Sequence, residues 1–323
     1  MSNTNTNKWK SRLLSSSLPL EYEVAKVLTD MNFNISFDYP YYRREGEHEK
    51  EFSTDLKGLF LFPYETDNEI DASLNLVAEC KYRDENKKWV FLPDVNQPDY
   101  SVFIIGYTIK ALSEFSTVKN RKNLISSFED KFDFALKGVE INLENGNVFN
   151  KDIIHGISQL KYALPYLIKN SIKHNVFSHL NDATPDYVIS ILVTNAELYI
   201  LNDNFSIERV KEVNELDEMA KKVPYLICYS EAGPDFMDHH KKIFENFLYD
   251  IRDERGNLKK FEDFQNKTSY NSYDSPIETC KELERSDYHT LKRYYSQHFI
   301  CSFKHFPDLI NKILQLLSNV TKK

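Results

Sequence analysis

No run of eighteen apolar residues occurs in the 323-residue sequence, so no segment reads as a transmembrane helix. The opening MSNTNTNKWK lacks an apolar core and does not read as a signal peptide; residues 1–17 are expected to form a disordered tail. Only eight glycines are present, and none forms a phosphate-cradling loop or a nucleophile elbow. The four cysteines, Cys80, Cys228, Cys280 and Cys301, are too scattered for a disulfide framework and suit free thiols in a reducing cytoplasm. His298, Cys301 and His305 follow no standard zinc spacing and lack a fourth ligand. A net charge of −8 gives no general attraction to nucleic acid, though a local basic surface would suffice for binding. Against these absences stand 22 Phe and 20 Tyr in a 41% hydrophobic chain, enough for a sizeable globular core.

The chemistry-bearing stretch is Leu74–Tyr82, LNLVAECKY. Its apolar run reads as a buried strand that ends in Glu79, Cys80 and Lys81. Alternation puts Glu79 and Lys81 on one face, their Cα atoms roughly 6.5 Å apart. A carboxylate and an ammonium at the end of a buried strand are costly to desolvate, so they either pair with each other or hold something. Glu-x-Lys occurs three times, at 79–81, 85–87 and 129–131, and only the first lies in an apolar strand; the other two read as solvated faces.

Around this strand the pattern supplies partners. Pro19–Met31 reads as a helix whose apolar face holds Leu20, Val24, Val27, Leu28 and Met31. Glu21 lies on the line of Val24 and Leu28, at the edge of the buried face, whereas Glu23 lies on the polar side. Residues 33–42 and 51–62 read as strands, with 43–50 a polar connection between them and 63–72 a polar loop. Asp55 sits mid-strand, where propensity disfavours aspartate. A hairpin between 51–62 and 74–82 would bring it towards Glu79. Residues 84–150 read as an insertion that includes a hairpin turned at Asn145-Gly146. Asp152–Lys169 reads as a helix, and Tyr187–Thr194, LYIL at 198–201 and YLICY at 225–229 as strands. From 236 onward helical spacing dominates, including LKRYYSQHFICSF, and 252–275 reads as loop.

Glu21, Asp55, Glu79 and Lys81, in this order on helix, strand and strand, resemble the PD-(D/E)XK (restriction-endonuclease-like) nuclease superfamily, and within it the Mrr-like restriction endonucleases. The resemblance covers about 18–82 and 151–194. Asp55 followed by Glu79-Cys80-Lys81 matches Asp…Glu-x-Lys; PLEYEVAKVL matches the first helix, and GISQLKYAL the helix that carries Gln159. Thr54 replaces the proline of the motif, and the insertion interrupts the core. The resemblance implies an α/β fold with an αβββαβ core, a central mixed sheet flanked by helices, spanning 18–230, and a mostly helical region over 231–323. It implies a metal-dependent endonuclease acting on DNA in preference to RNA, in antiviral defence or restriction, either as a homodimer or with a partner protein of a defence system. Mg²⁺ or Mn²⁺ would be held by Asp55, Glu79, the Cys80 backbone carbonyl and Glu21, with Lys81 and Gln159 completing the catalytic set. The alternatives are a catalytically inactive nucleic-acid-binding or scaffolding module of the same fold, and an unrelated α/β binding protein. Lys87, Lys88 and the basic stretch 119–123 read either as phosphate contacts or as solvated loop, and KRYYSQHF at 292–299 as base-stacking or as a packed amphipathic helix.

Overall fold

The computed structural model describes residues 8–46, 48–63, 70–118, 121–253, 261, 263–264 and 275–321. Two short helices, α1 (Lys8–Ser15) and α2 (Leu18–Asp30), open the chain. Three long strands follow: β1 (Asn34–Glu45), β2 (His48–Pro63) and β3 (Ile70–Lys81). Next come β4 (Lys87–Pro93), β5 (Lys110–Leu112), α3 (Lys122–Glu129), β6 (Phe134–Asn142) and β7 (Val148–Phe149). Helix α4 (Lys151–Phe177) leads into β8 (Asp186–Thr194), β9 (Glu197–Leu201), α5 (Ile207–Glu212), β10 (Ala220–Val223) and β11 (Tyr225–Tyr229). The chain closes with α6 (Pro234–Phe244), α7 (Phe247–Asp253), α8 (Pro276–Arg285), α9 (Tyr288–Tyr295), β12 (Gln297–Ser302) and α10 (Phe306–Thr321).

The twelve strands among the described residues join one mixed sheet, ordered β1-β2-β3-β8-β12-β11-β6-β4-β9-β10, with β5 on β8 and β7 on β6. The fold is therefore α/β. Its axis is β8, whose nine residues are all buried. Val188 and Leu192 pack with α4 and α6–α9, whereas Tyr187, Ile189, Ile191 and Val193 pack with α2, α3 and α10. A strand covered on both faces can be apolar throughout, and YVISILVT is nearly so. On β3 the same alternation sends Leu74, Leu76, Ala78 and Cys80 to the α2 side and Val77 to the α4 side. Glu79 and Lys81 continue the Val77 face towards α4.

Several expectations change. The polar segment 43–50 is the tip of a long hairpin rather than a loose connection, since β1 and β2 stay in register from Asn34–Leu59 to Glu45–His48. Main-chain pairing carries polar side chains as readily as apolar ones on an exposed hairpin, so hydropathy there was silent. Residues 84–150 supply β4 to β7, four strands of the common sheet. The stretch QHFICS is β12, wedged between β8 and β11, and not a helical continuation. Within it His298 and Cys301 fall on opposite faces of the strand, and His298 Nδ1 meets Ser190 Oγ at 2.9 Å. Of the expected N-terminal tail, 8–15 are helical and 1–7 lie outside the described residues, as does most of 254–274. All four cysteines are buried and free. No helix among the described residues is long and apolar enough to cross a membrane.

Candidate functional site

Register brings the sequence-predicted residues together. The β2–β3 ladder ends at Leu56–Ala78, so the next residues, Asp55 and Glu79, face each other across it. Asp55 Oδ2 accepts the Cys80 amide at 2.6 Å, which ties the two strands beyond their last ladder pair. Lys81 Nζ lies 2.6 Å from Glu79 Oε1 and 3.2 Å from Gln159 Oε1. Gln159 Nε2 in turn donates to the Ser53 carbonyl at 3.3 Å, so α4 is pinned to β2 and β3 through one amide. Gly156, one turn earlier, permits that approach: a Cβ there would stand 2.6 Å from Leu192 Cδ1 and 3.4 Å from Lys81 Cε.

Glu21 enters from the other layer. Ser17 adopts φ 64° at the start of α2, and its hydroxyl accepts the Tyr82 amide at 3.0 Å instead of capping the helix. That bond fastens the first turn of α2 to the end of β3. Val24 and Leu28 are fully buried, Glu23 is exposed, and Glu21 is half-buried, as the helical spacing predicts.

Electrostatics couple the acids. Burial, then Asp55, raises Glu79 to about 8, with Lys81 opposing. Burial raises Asp55 as well, opposed by the Cys80 amide and Lys81. Glu21 rises to about 7 through burial, Asp55 and Asp38. Such clustering of carboxylates that disfavour one another's charge is costly in a merely structural site. Asp38 was not singled out in the sequence. It lies across the β1–β2 ladder from Asp55, between the Phe37–Leu56 and Tyr39–Thr54 pairs, with φ 53° in the left-handed region. An aspartate is among the few non-glycine residues that tolerate this conformation. An acid beside Pro40 in an aromatic strand was the available signal.

The fit of a divalent ion rests on the oxygen donors. Glu79 is 1% exposed, and its Oε2 is buried without a hydrogen-bond partner. Orphaned buried carboxylate oxygens are rare and call for a partner. Asp55 faces it from the neighbouring strand, with the Cys80 main chain between them. Among the described residues no three His, Cys, Asp or Glu side chains converge as a complete ligand set. Mg²⁺ keeps several waters and needs only one or two carboxylates, so Asp55, Glu79 and a main-chain carbonyl suit it, with Glu21 at the periphery.

Three of the cations expected to track phosphates are paired with acids, whereas Arg121 is exposed. Lys87 pairs with Glu140 at 3.3 Å and Lys88 with Glu197 at 2.8 Å. Lys122 pairs with Glu114 at 2.6 Å, and residues 119–120 lie outside the described set. In 292–299, Tyr295, His298 and Phe299 are fully buried and unable to stack on bases. Glu129, expected on a solvated face, is also fully buried, and its carboxylate accepts the Gly106 and Ile109 amides at 2.6 and 2.7 Å. Glu85 is exposed, as expected. A cleft of about 550 Å³ opens between the β1–β2 hairpin tip, α4 and α6; Arg43 sits there 4.2 Å over the Tyr162 ring. Tyr41, buried two residues before Arg43 on β1, feels the charges of Glu79, Arg43 and Tyr162.

No protein-family model matches the chain, and comparison with curated proteins and with solved structures gives no significant match. The functional reading therefore rests on the geometry of this site and on the motif it contains.

Proposed function

We propose that the protein is a metal-dependent endonuclease with a PD-(D/E)XK-like core, acting on DNA. The observation that carries this reading is the juxtaposition of Asp55 and Glu79 at the end of the β2–β3 ladder, with Lys81 Nζ bridging Glu79 and Gln159 and Glu79 Oε2 left without a partner. The order α2, β1–β3, α4, β8, with β8 parallel to β3, suits that core.

A bound Mg²⁺ would supply charge neutralisation on the scissile phosphate and a more acidic attacking water. Asp55, Glu79 and the Cys80 carbonyl would hold it. Lys81, held by Glu79 and Gln159, would orient the attacking water and stabilise the developing negative charge. Glu21, at the edge of the site, would reach the ion directly or through a water. Arg43 beside Tyr162 offers a guanidinium to a phosphate of the bound strand.

A cleavage assay with plasmid DNA, linear DNA and RNA, with and without Mg²⁺ or Mn²⁺, tests the reading. Metal-dependent cleavage that disappears in Lys81→Ala while nucleic acid is still bound is the expected result. Binding without cleavage in the unaltered protein would favour the inactive module, and neither binding nor cleavage would overturn the nuclease reading.

A further inference from the structure

The α4-facing side of β3 carries a second polar group. Ser73 and Asn75 lie on the same face as Glu79, towards the far end of the strand, about 20 and 13 Å away by strand rise. There β2, β3 and β8 form a floor, α4 and the segment after it form a wall, and a cleft of about 310 Å³ lies between. That volume falls at the small end of ligand pockets.

At its base is Asp186, only 4% exposed and in register with Ser73 across the β3–β8 ladder. Its carboxylate is bonded by the hydroxyls of Ser73 and Ser171, and Ser171 accepts Asn75 Nδ2 at 3.4 Å. Among the described residues no cation forms an ion pair with it. Lys57 lines the same cleft from β2, close enough for its charge to bear on Asp186, yet the two form no ion pair. Lys57 Nζ instead stands 5.3 Å from the Tyr39 ring, which holds it to its own side. Burial disfavours both charges, raising Asp186 to about 8 and lowering Lys57. Leu59, Leu61 and Leu167 provide an apolar side to the same space.

The buried Asp186 carboxyl and the half-buried Lys57 ammonium therefore face one cavity without pairing with each other. We propose that this cleft binds a small dipolar molecule, its cationic or amine-donating end on Asp186, its anionic end on Lys57 and its apolar part against the leucines. An α-amino acid with an aliphatic side chain is the smallest molecule that carries all three features. A nucleoside monophosphate offers the same chemistry through an exocyclic amine and a phosphate. Either ligand places an anion on Lys57 and N–H donors on the Asp186 carboxyl, whereas a molecule with only one end leaves one of the two groups without a partner.

The test is thermal melting and calorimetric titration of the full chain with L-leucine, AMP, 4-methylpentanoate and isopentylamine. L-leucine or AMP should raise the melting temperature, and the dipolar probe that binds identifies the source. The two single-ended probes should bind at least about tenfold more weakly than L-leucine if the amino acid is the ligand. Asp186→Asn and Lys57→Met should each abolish the shift; if the buried Asp186→Asn fails to fold, the half-buried Lys57→Met decides alone. Glu79→Gln should bind the same probe unchanged, which separates this site from the nuclease reading. No shift from either dipolar probe, or a shift that survives Lys57→Met, overturns the proposal.

Discussion

The two ends of β3 solve the same problem differently. Each presents a buried carboxylate to α4 with a lysine nearby. At the C-terminal end Lys81 closes on Glu79 at 2.6 Å, yet one carboxylate oxygen stays unpartnered and a second acid, Asp55, stands opposite. At the other end Asp186 is served by two serine hydroxyls, and Lys57 is held away over Tyr39. Hydroxyls solvate a carboxylate without fixing its charge, so Asp186 can take up a proton without disturbing its neighbours. The Glu79 end instead crowds like charges together, an arrangement that a divalent cation relieves. Burial alone does not distinguish the two ends; the number of acids per cation does.

The largest effect that would separate the ends is on cleavage. Glu79→Gln and Lys81→Ala should each lower the rate by roughly a hundredfold or more, the scale set by losing charge stabilisation at a reacting phosphate. Asp186→Asn should leave the rate near that of the unaltered protein, provided the variant folds. Equal losses from both ends would make the polar face of β3 a structural unit and sink the contrast. Glu21→Gln should cost about tenfold to a hundredfold, while Glu23→Gln, on the exposed side of α2, should cost nothing measurable.

Stability comes next. Mg²⁺ at a hundred times its dissociation constant should stabilise the protein by about 2.7 kcal/mol, seen as a rise in melting temperature that Asp55→Asn and Glu79→Gln weaken. Lys57→Met should keep the whole rise. Glu129→Gln, away from both ends, should cost about 1–3 kcal/mol, because its carboxylate caps two buried amides. Chemical denaturation of these variants would check the comparison.

A finer effect is on pH. Asp186 has a folded value of about 8 against an ordinary 3.8, so the folded state holds a proton that the unfolded state releases. Its contribution to stability is complete below the ordinary value and is lost as pH rises through about 8, with a slope approaching ~1.4 kcal/mol per pH unit. Asp186→Asn should flatten that part of the stability profile; an unchanged profile would mean that the carboxylate is charged throughout. At the smallest end, Glu85→Gln should alter neither the Mg²⁺ response nor the cleavage rate.

What could be read from the residues follows from where the signals are local. Leu20, Val24 and Leu28 mark α2 by period, and the run into Glu79 marks β3, so the inward face of Glu21 and the Asp55–Glu79 encounter were both legible. The exact pairing needed the ladder itself, since register is a non-local choice. Asp38 was hidden because its backbone conformation, rather than its spacing, aims it at the site. The roles of β4 and β6 were hidden because their neighbours in the sheet, β9 and β11, lie far along the chain. β12 escaped because QHFICS is buried on both faces and carries no alternation to distinguish it from a packed helix. Glu129 read as solvated for a related reason: the amides it caps belong to residues 106 and 109, which no local pattern connects to it.

Gly156 gives the site a mechanical tolerance. Because a methyl group there would intrude on Leu192 and reach Lys81, the clearance between helix and sheet is set at a position with no functional group. Gln159 sits one turn on, so lifting the helix even slightly stretches the amide that steadies the lysine. The reactive geometry is thus gauged by thickness as well as by chemistry, and the residue that fixes the gauge would be invisible to any search for acids, bases or ligands.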